Sequence, residues 1–106
     1  MNQESLNWIF VCNESEIEMN DLKRFDYKDK TFCIYKLKDG IYATDGLCTH
    51  EEFHLEDGLV MHEEIECPMH QGIFDIKSGK AVSAPACVDL KIYKIKVEEN
   101  KIYIKL

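Results

Sequence analysis

The sequence predicts an all-β fold in which a smaller, loop-rich segment is inserted between two β halves. Short runs rich in Ile, Val, Tyr and Phe recur along the 106 residues, which is typical of strands. Two compact turns, Lys38-Asp39-Gly40 and Glu98-Glu99-Asn100, separate such runs as hairpin turns do. Between Thr44 and Pro85 the runs become short and alternate with polar, glycine-containing turns, so this middle part is expected to consist largely of loops.

Seven runs have the length and composition of strands. In chain order they are Leu6 to Cys12, Thr31 to Leu37, Ile41 to Thr44, Glu64 to Cys67, Ile73 to Ile76, Leu90 to Val97 and Lys101 to Leu106. Only the segment from Asn13 to Leu22 favours a helical turn, with Asn13 or Ser15 as the cap before Ile17.

Length and composition are those of one folded domain. A chain of 106 residues can bury one modest core but has no room for a catalytic domain as well. We therefore expect a single domain over residues 1–106, with the inserted subdomain at about 45–86. No apolar stretch is long enough to span a bilayer, and no export signal follows Met1, so neither a membrane anchor nor secretion is predicted.

The five cysteines are an odd number, so a complete disulfide framework would leave a thiol over. A reducing, cytoplasmic compartment fits this count better. Cys12 and Cys33 lie within apolar runs, where a thiol behaves as a small buried hydrophobe. Cys87 lies in a loop-like stretch, and its role stays open.

The net charge of −7 belongs to one segment. Between Gly46 and His70 there are seven acidic residues and no Lys or Arg, and the rest of the chain has 13 acidic and 13 basic residues. The acidic residues of this segment are Glu51, Glu52, Glu56, Asp57, Glu63, Glu64 and Glu66. Nucleic acid and anionic membranes are excluded as partners, because both require positive charge. The segment is either a docking surface or simply a solvated one.

Two pairs of metal-binding residue types stand out in the middle part: Cys48-Thr49-His50 and, after sixteen intervening residues, Cys67-Pro68-Met69-His70. Two cysteines and two histidines can hold a tetrahedral zinc ion or a [2Fe–2S] cluster with both histidines on one iron. Structural zinc sites usually take two cysteines from one turn and two histidines from another. Here each turn supplies one of each, which favours the cluster.

The pattern C-x-H followed by C-P-x-H resembles the Rieske family. The resemblance extends to Tyr42-Ala43-Thr44-Asp45, Leu55, Asp57-Gly58, Phe74-Asp75, Gly79, Ala81 and Ser83-Ala84-Pro85-Ala86. These features are similar to the small ferredoxins of ring-hydroxylating dioxygenase systems. The resemblance implies a Rieske-like β-sandwich or barrel, one [2Fe–2S] cluster, thiolates of Cys48 and Cys67 on the buried iron, and neutral imidazoles of His50 and His70 on the outer iron.

The same resemblance implies a function. The chain would be a soluble, monomeric one-electron carrier and not itself an enzyme. It would take electrons from an NAD(P)H-dependent flavin reductase and pass them to a terminal oxygenase through transient, electrostatically steered contacts. Alternatives are a Rieske subunit or redox-sensing module of another oxidoreductase, a zinc-binding module, or a fragment of a Rieske oxygenase. The last would need further ligands for a mononuclear iron, and no histidine follows His70.

Departures from the respiratory members of the family point to a low reduction potential. Those members carry a disulfide where this chain has Phe53 and Met69, and cluster-bonding hydroxyls where it has Gly72 and Phe74. Hydrogen bonds to sulfur stabilise the reduced cluster, so their loss lowers the potential to about −150 mV.

The residues around the ligand pairs are expected to fall into two groups. An apolar shell of Phe53, Leu55, Met69, Ile73 and Pro85 would limit access of water to the cluster, with Pro85 in a third covering loop. His54 and His62 match no ligand position and are expected to be surface histidines.

Overall fold

The computed structural model describes residues 7–49, 53–68, 72–83 and 88–106, and within them the chain is all-β. The strands are β1 Trp8–Asn13, β2 Asp21–Tyr27, β3 Lys30–Leu37, β4 Gly40–Asp45, β5 Leu59–Met61, β6 Glu64–Glu66, β7 Ile73–Asp75, β8 Ala81–Ser83, β9 Ile92–Tyr93, β10 Ile95–Glu98 and β11 Lys101–Lys105. Short 3₁₀ turns occur at Glu14–Glu16 and Leu55–Asp57.

Three antiparallel sheets make up the described part of the chain. The first has the order β1-β11-β10 and the second the order β2-β3-β4-β9, so each combines strands from both ends of the sequence. The third, β5-β6-β7-β8, is built only from residues 59–83. The predicted all-β class, with a smaller unit inserted between two β halves, is confirmed. The domain limits of 1–106 and 45–86 stay predictions.

Strand β3 contributes residues to two hydrophobic cores, one on each of its faces. Its residues alternate in direction, so Phe32 and Ile34 pack with Ile102 and Ile104 of β11, joining the first and second sheets. On its other face, Cys33, Tyr35 and Leu37 pack with Leu55, Ile65 and Phe74 of the inserted part. Burial on both faces explains why this strand reads as a continuous apolar run.

Both predicted hairpins are present. Leu37 pairs with Gly40 across the β3–β4 turn, and Glu98 pairs with Lys101 across the β10–β11 turn. Glu99 and Asn100 have φ of 51° and 66°, the left-handed values that a two-residue hairpin turn requires. These turns fix the register that sends Ile102 and Ile104 into the core.

The helical turn predicted within the segment from Asn13 to Leu22 is present. Only Glu14–Glu16 form a 3₁₀ turn, with Asn13 at its N-cap as expected. The Asn13 backbone N–H donates to Oε2 of Glu16 at 2.9 Å. None of the helical segments in the described residues is long and apolar enough to cross a bilayer.

The predicted burial of two cysteines is confirmed, since Cys12 is 2% exposed and Cys33 is fully buried. Burial raises the pKa of both thiols, and it raises that of Cys33 to about 12. Both thiols are therefore protonated and inert in the folded protein. Cys87 lies outside the described residues.

Candidate metal centre

Cys48 and Cys67 begin two loops that are closed in the same way. The Cys48 N–H donates to the Phe53 carbonyl at 2.9 Å, and the Cys67 N–H donates to the Gly72 carbonyl at 2.7 Å. Each bond joins residues five positions apart. The residues just outside each bonded pair form one further antiparallel pair. These pairs are Leu47 with His54 and Glu66 with Ile73. The two predicted ligand pairs therefore start at the bases of two equivalent hairpin ends.

The two cysteines lie in one apolar cluster. Cys48 is 4% exposed and Cys67 is 2% exposed, and both belong to the core that contains Leu55, Ile65 and Phe74. Phe53 packs against this core from its edge. Of the predicted apolar shell, Leu55 is fully buried, Phe53 and Ile73 are half-buried, and Met69 and Pro85 lie outside the described residues.

This donor set suits a [2Fe–2S] cluster of low net charge. Two thiols emerge from an apolar core at the bases of matched loops, and each loop carries one imidazole further along its sequence. His50 and His70 lie outside the described residues, so their place in the ligand set stays a prediction. Among the described residues alone, no group of three or more His, Cys, Asp or Glu side chains could hold a metal ion.

A third segment is fastened to the first loop. The Thr49 hydroxyl, next to Cys48, donates to the Val88 carbonyl at 2.6 Å. The segment that follows is tied to the inserted sheet, since the Leu90 N–H donates to the Gly79 carbonyl at 2.7 Å. Residues 84–87, which include the predicted covering residue Pro85, lie outside the described part. Thr49 was not predicted as a tether, although its hydroxyl inside the C-x-H pattern was a visible signal.

Two sets of ion pairs fasten the inserted part to the second sheet. Arg24 of β2 donates to Glu56 at 2.8 Å and to Asp26 at 2.9 Å. Lys77 pairs with Asp39 of the β3–β4 turn and, at 3.3 Å, with Glu63. Hydrogen bonds from the two cations lower the pKa of Asp26 and of Asp39 respectively.

These ion pairs also reduce the predicted acidic surface. Glu56 and Glu63 form ion pairs with Arg24 and Lys77, each of which is shared with one further carboxylate, while Glu51 and Glu52 lie outside the described residues. Within the described part of the segment, Asp57, Glu64 and Glu66 remain without an ion-pair partner. The acidic surface is therefore smaller than the seven residues suggested.

The two remaining histidines differ. His62 is exposed, as predicted. His54, which forms a backbone bridge with Leu47, is half-buried and so less exposed than His62. Its Nδ1 atom is buried and has no hydrogen-bond partner among the described residues.

Ferredoxins and ferredoxin components of dioxygenase systems are similar to this chain over nearly its whole length. Residues 7–94 match the model of the Rieske [2Fe–2S] domain. The ferredoxin component of the 2,4-dinitrotoluene dioxygenase system of Burkholderia sp. strain RASC is 39% identical over 102 residues, which cover 96% of this chain and 98% of that protein. A chain in the complex of reduced oxygenase and oxidised ferredoxin in carbazole 1,9a-dioxygenase matches with a TM-score of 0.90 at 30% identity, covering 93% of both chains. The Sphingomonas yanoikuyae B1 ferredoxin matches with a TM-score of 0.89 at 28% identity, covering 94% of this chain and 99% of that one.

Proposed function

This chain belongs to the Rieske [2Fe–2S] domain family, and from that premise we propose that it carries single electrons to a terminal oxygenase. The observation that carries the proposal is the pair of equivalent loops starting at Cys48 and Cys67. The related ferredoxin component of the 2,4-dinitrotoluene dioxygenase system supports the role. So does the similar chain in a complex of oxygenase and ferredoxin.

We propose Cys48, His50, Cys67 and His70 as the ligands. A bound [2Fe–2S] cluster supplies a centre that gains and loses one electron. The chain holds the two thiolates in fixed positions, because the bonds to the Phe53 and Gly72 carbonyls close both loops at their bases. Leu55, Ile65 and Phe74 keep water from the cysteine side of the site, which limits hydrolysis of the cluster and tunes its potential.

The electron donor we propose is a flavin-containing reductase that oxidises NAD(P)H. We also propose a monomer in the cytoplasm; a reducing compartment fits the five cysteines, because a complete disulfide framework would leave one thiol over. Transient docking to two successive partners needs only one copy of the chain. Sedimentation equilibrium of the holo-protein should therefore give a mass near 12.4 kDa, plus the cluster.

The direct test is electron delivery between purified components. The holo-protein, reduced with dithionite and freed of excess reductant, is mixed anaerobically with the oxidised terminal oxygenase of the same organism. We expect the absorbance of this protein to return to its oxidised form as the oxygenase is reduced. Cys48→Ser should abolish delivery, while the buried control Cys12→Ala should keep it. Failure of the wild-type protein to reduce the oxygenase would refute the role.

A further inference from the structure

A groove lined by lysines lies beside strand β9, in the part of the molecule where the charge is opposite to that of the acidic segment. Three adjoining concavities share Lys91 and Tyr93 and form this groove. We call it the lysine groove and define it by Lys28, Lys30, Lys91, Tyr93, Lys94 and Lys105. The lysines come from the β2–β3 turn, the start of β3, the segments beside β9, and the end of β11, so only the folded chain brings them together.

The positive charge of this groove is not neutralised locally. Lysines elsewhere, such as Lys23 and Lys77, pair with carboxylates, but within the described part of the chain none of the five groove lysines does. Two carboxylates also line the groove, those of Asp29 and Asp45. The Asp45 carboxylate already accepts the Tyr93 hydroxyl at 2.5 Å. The side chains that line the groove, five lysines against two aspartates, have an excess of three positive charges on a protein whose net charge is −7.

Aromatic rings hold the lysine amines in place. The Nζ of Lys28 lies 5.5 Å from the centre of the Tyr27 ring, and that of Lys91 lies 5.3 Å from the centre of the Tyr93 ring. Lys105 lies 5.9 Å from the Trp8 ring. A cation above a ring keeps its charge while its side chain is partly ordered, so docking costs less conformational entropy.

The groove also contains an exposed apolar side chain. Ile92 is 46% exposed, and it lies in the groove between Lys91 and Tyr93. An exposed apolar centre with a charged rim is the usual arrangement of a docking surface. Nucleic acid and anionic membranes match this surface poorly, because the rest of the molecule is strongly acidic and would be repelled by either.

The groove reaches the base of the first metal-binding loop. Leu47, which precedes Cys48, lines its nearer end. The Asp45 N–H donates to the Lys91 carbonyl at 2.9 Å, so β4 and the lysine segment are joined there. A partner in the groove would therefore lie beside the Cys48 loop. It would contact a positively charged surface, whereas Asp57 and Glu64 are negatively charged.

We infer that the lysine groove is a second docking surface, and that its occupant is a protein with a carboxylate-rich face. This inference rests on the proposed function, because a carrier must bind a donor and an acceptor in turn. A basic partner face fits the acidic segment and an acidic partner face fits the groove. The two signs let the carrier distinguish one redox partner from the other.

The first test separates the two electron-transfer steps. The rate of reduction by the reductase and the rate of oxidation by the oxygenase are measured at low ionic strength for Lys91→Glu/Lys94→Glu. The double variant Lys38→Glu/Lys101→Glu makes the same charge change outside the groove. We expect the groove variant to slow one step by at least about tenfold and to leave the other step equal to that of the control. Slowing of both steps, or of neither, beyond the control would overturn the inference.

The second test needs no redox partner, so it separates failure of the groove from failure of the proposed function. Backbone amide shifts of the ¹⁵N-labelled holo-protein are followed during titration with poly-L-glutamate. We expect saturable shifts at residues 28–30 and 91–94, loss of these shifts in Lys91→Glu/Lys94→Glu, and retention in Lys38→Glu/Lys101→Glu. Absence of the shifts would overturn the inference. Tighter binding at these residues by a DNA duplex, by phosphatidylglycerol vesicles or by a second copy of the chain would also overturn it.

Discussion

Phe74 and Gly72 determine what the second loop can offer a cluster. Phe74 is fully buried in the core that contains Cys67, and its ring has no hydroxyl to donate. Gly72 contributes only backbone, and its carbonyl already accepts the Cys67 N–H. The described residues at these two positions therefore supply no side-chain hydrogen bond to a sulfur.

The first prediction is a reduction potential of about −150 mV, at the low end of the Rieske range. Potentiometric titration monitored by EPR measures it. Phe74→Tyr introduces a hydroxyl at this position, as in the respiratory members of the family. It should raise the reduction potential by tens of millivolts, because a hydrogen bond to sulfur favours the reduced state. Phe74→Leu, which also lacks a hydroxyl, should not raise it. A strongly positive potential in the wild-type protein would contradict the account.

The second prediction concerns alkaline pH and follows from Cys33. Burial raises its thiol pKa from 9.0 to about 12, so the folded state favours the protonated thiol. The resulting stability is fully present below pH 9 and is lost as the pH rises from about 9 to about 12. Each such thiol should lower the free energy of unfolding by up to about 1.4 kcal/mol per pH unit in this range.

Urea unfolding of the wild-type protein and of Cys33→Ala at pH 8 and pH 10.5 measures this effect. The wild-type protein should lose more stability between the two pH values than Cys33→Ala, which lacks the thiol. Burial also raises the pKa of Tyr35, so both proteins should lose some stability. Equal losses would show that Cys33 does not titrate in this way.

At the scale of secondary-structure elements, the strands that the sequence predicted are those with uninterrupted apolar runs. All seven predicted runs form strands, although the run from Leu90 to Val97 is divided at Lys94 into β9 and β10. Strands β2, β5 and β8 were missed. Strand β2 is rich in charged residues and half-buried, and its partner β3 supplies the pairing. The other two have three residues each, too few for a period to be visible.

At the candidate metal site, too, the sequence predicted some features and missed others. Spacing alone was enough to propose Cys48 and Cys67 as ligands, because ligands on one turn are close in sequence. Spacing could not identify the tethers Arg24–Glu56 and Thr49–Val88, because their partners are 32 and 39 residues apart. Such contacts depend on how the sheets pack against each other, and a local sequence pattern does not predict that packing.

The third prediction is made for the turn between β7 and β8. Gly79 has a φ of 79°, and a Cβ atom there would collide with the Leu90 carbonyl. Gly79→Ala should therefore cost more than about 1 kcal/mol and lower Tm by at least about 4 °C. Lys80→Ala changes an exposed neighbour and should leave Tm unchanged. Equal Tm values for both variants and the wild-type protein would show that this close approach does not limit the fold.

At the scale of the whole molecule, charge is distributed unevenly. The segment from Gly46 to His70 carries the net charge, and the lysine groove carries an opposite excess. Ion pairs with Arg24 and Lys77 offset part of the negative charge of the acidic segment. Within the described part of the segment, the carboxylates of Asp57, Glu64 and Glu66 remain to attract a basic partner.

The fourth prediction is that electron transfer with the basic partner depends on salt. Its second-order rate should fall between about 50 mM and about 300 mM salt, because screening shortens the range of attraction. Asp57→Asn/Glu64→Gln should lower the rate at low salt and flatten the salt dependence. Glu98→Gln/Glu99→Gln, with the same charge change in the β10–β11 hairpin, should behave as the wild-type protein. A rate independent of salt would remove the acidic segment from the docking step.

The central claim is the ligand set of Cys48, His50, Cys67 and His70, and pulsed EPR of the dithionite-reduced protein tests it most directly. The protein is prepared with ¹⁵N-labelled histidine, so that couplings from histidine nitrogens are distinguished from those of the backbone. The account predicts a rhombic signal with couplings to two histidine nitrogens, both absent from the unlabelled protein at the ¹⁵N frequency. A signal with no histidine coupling, or a zinc-containing protein with no signal, would contradict it.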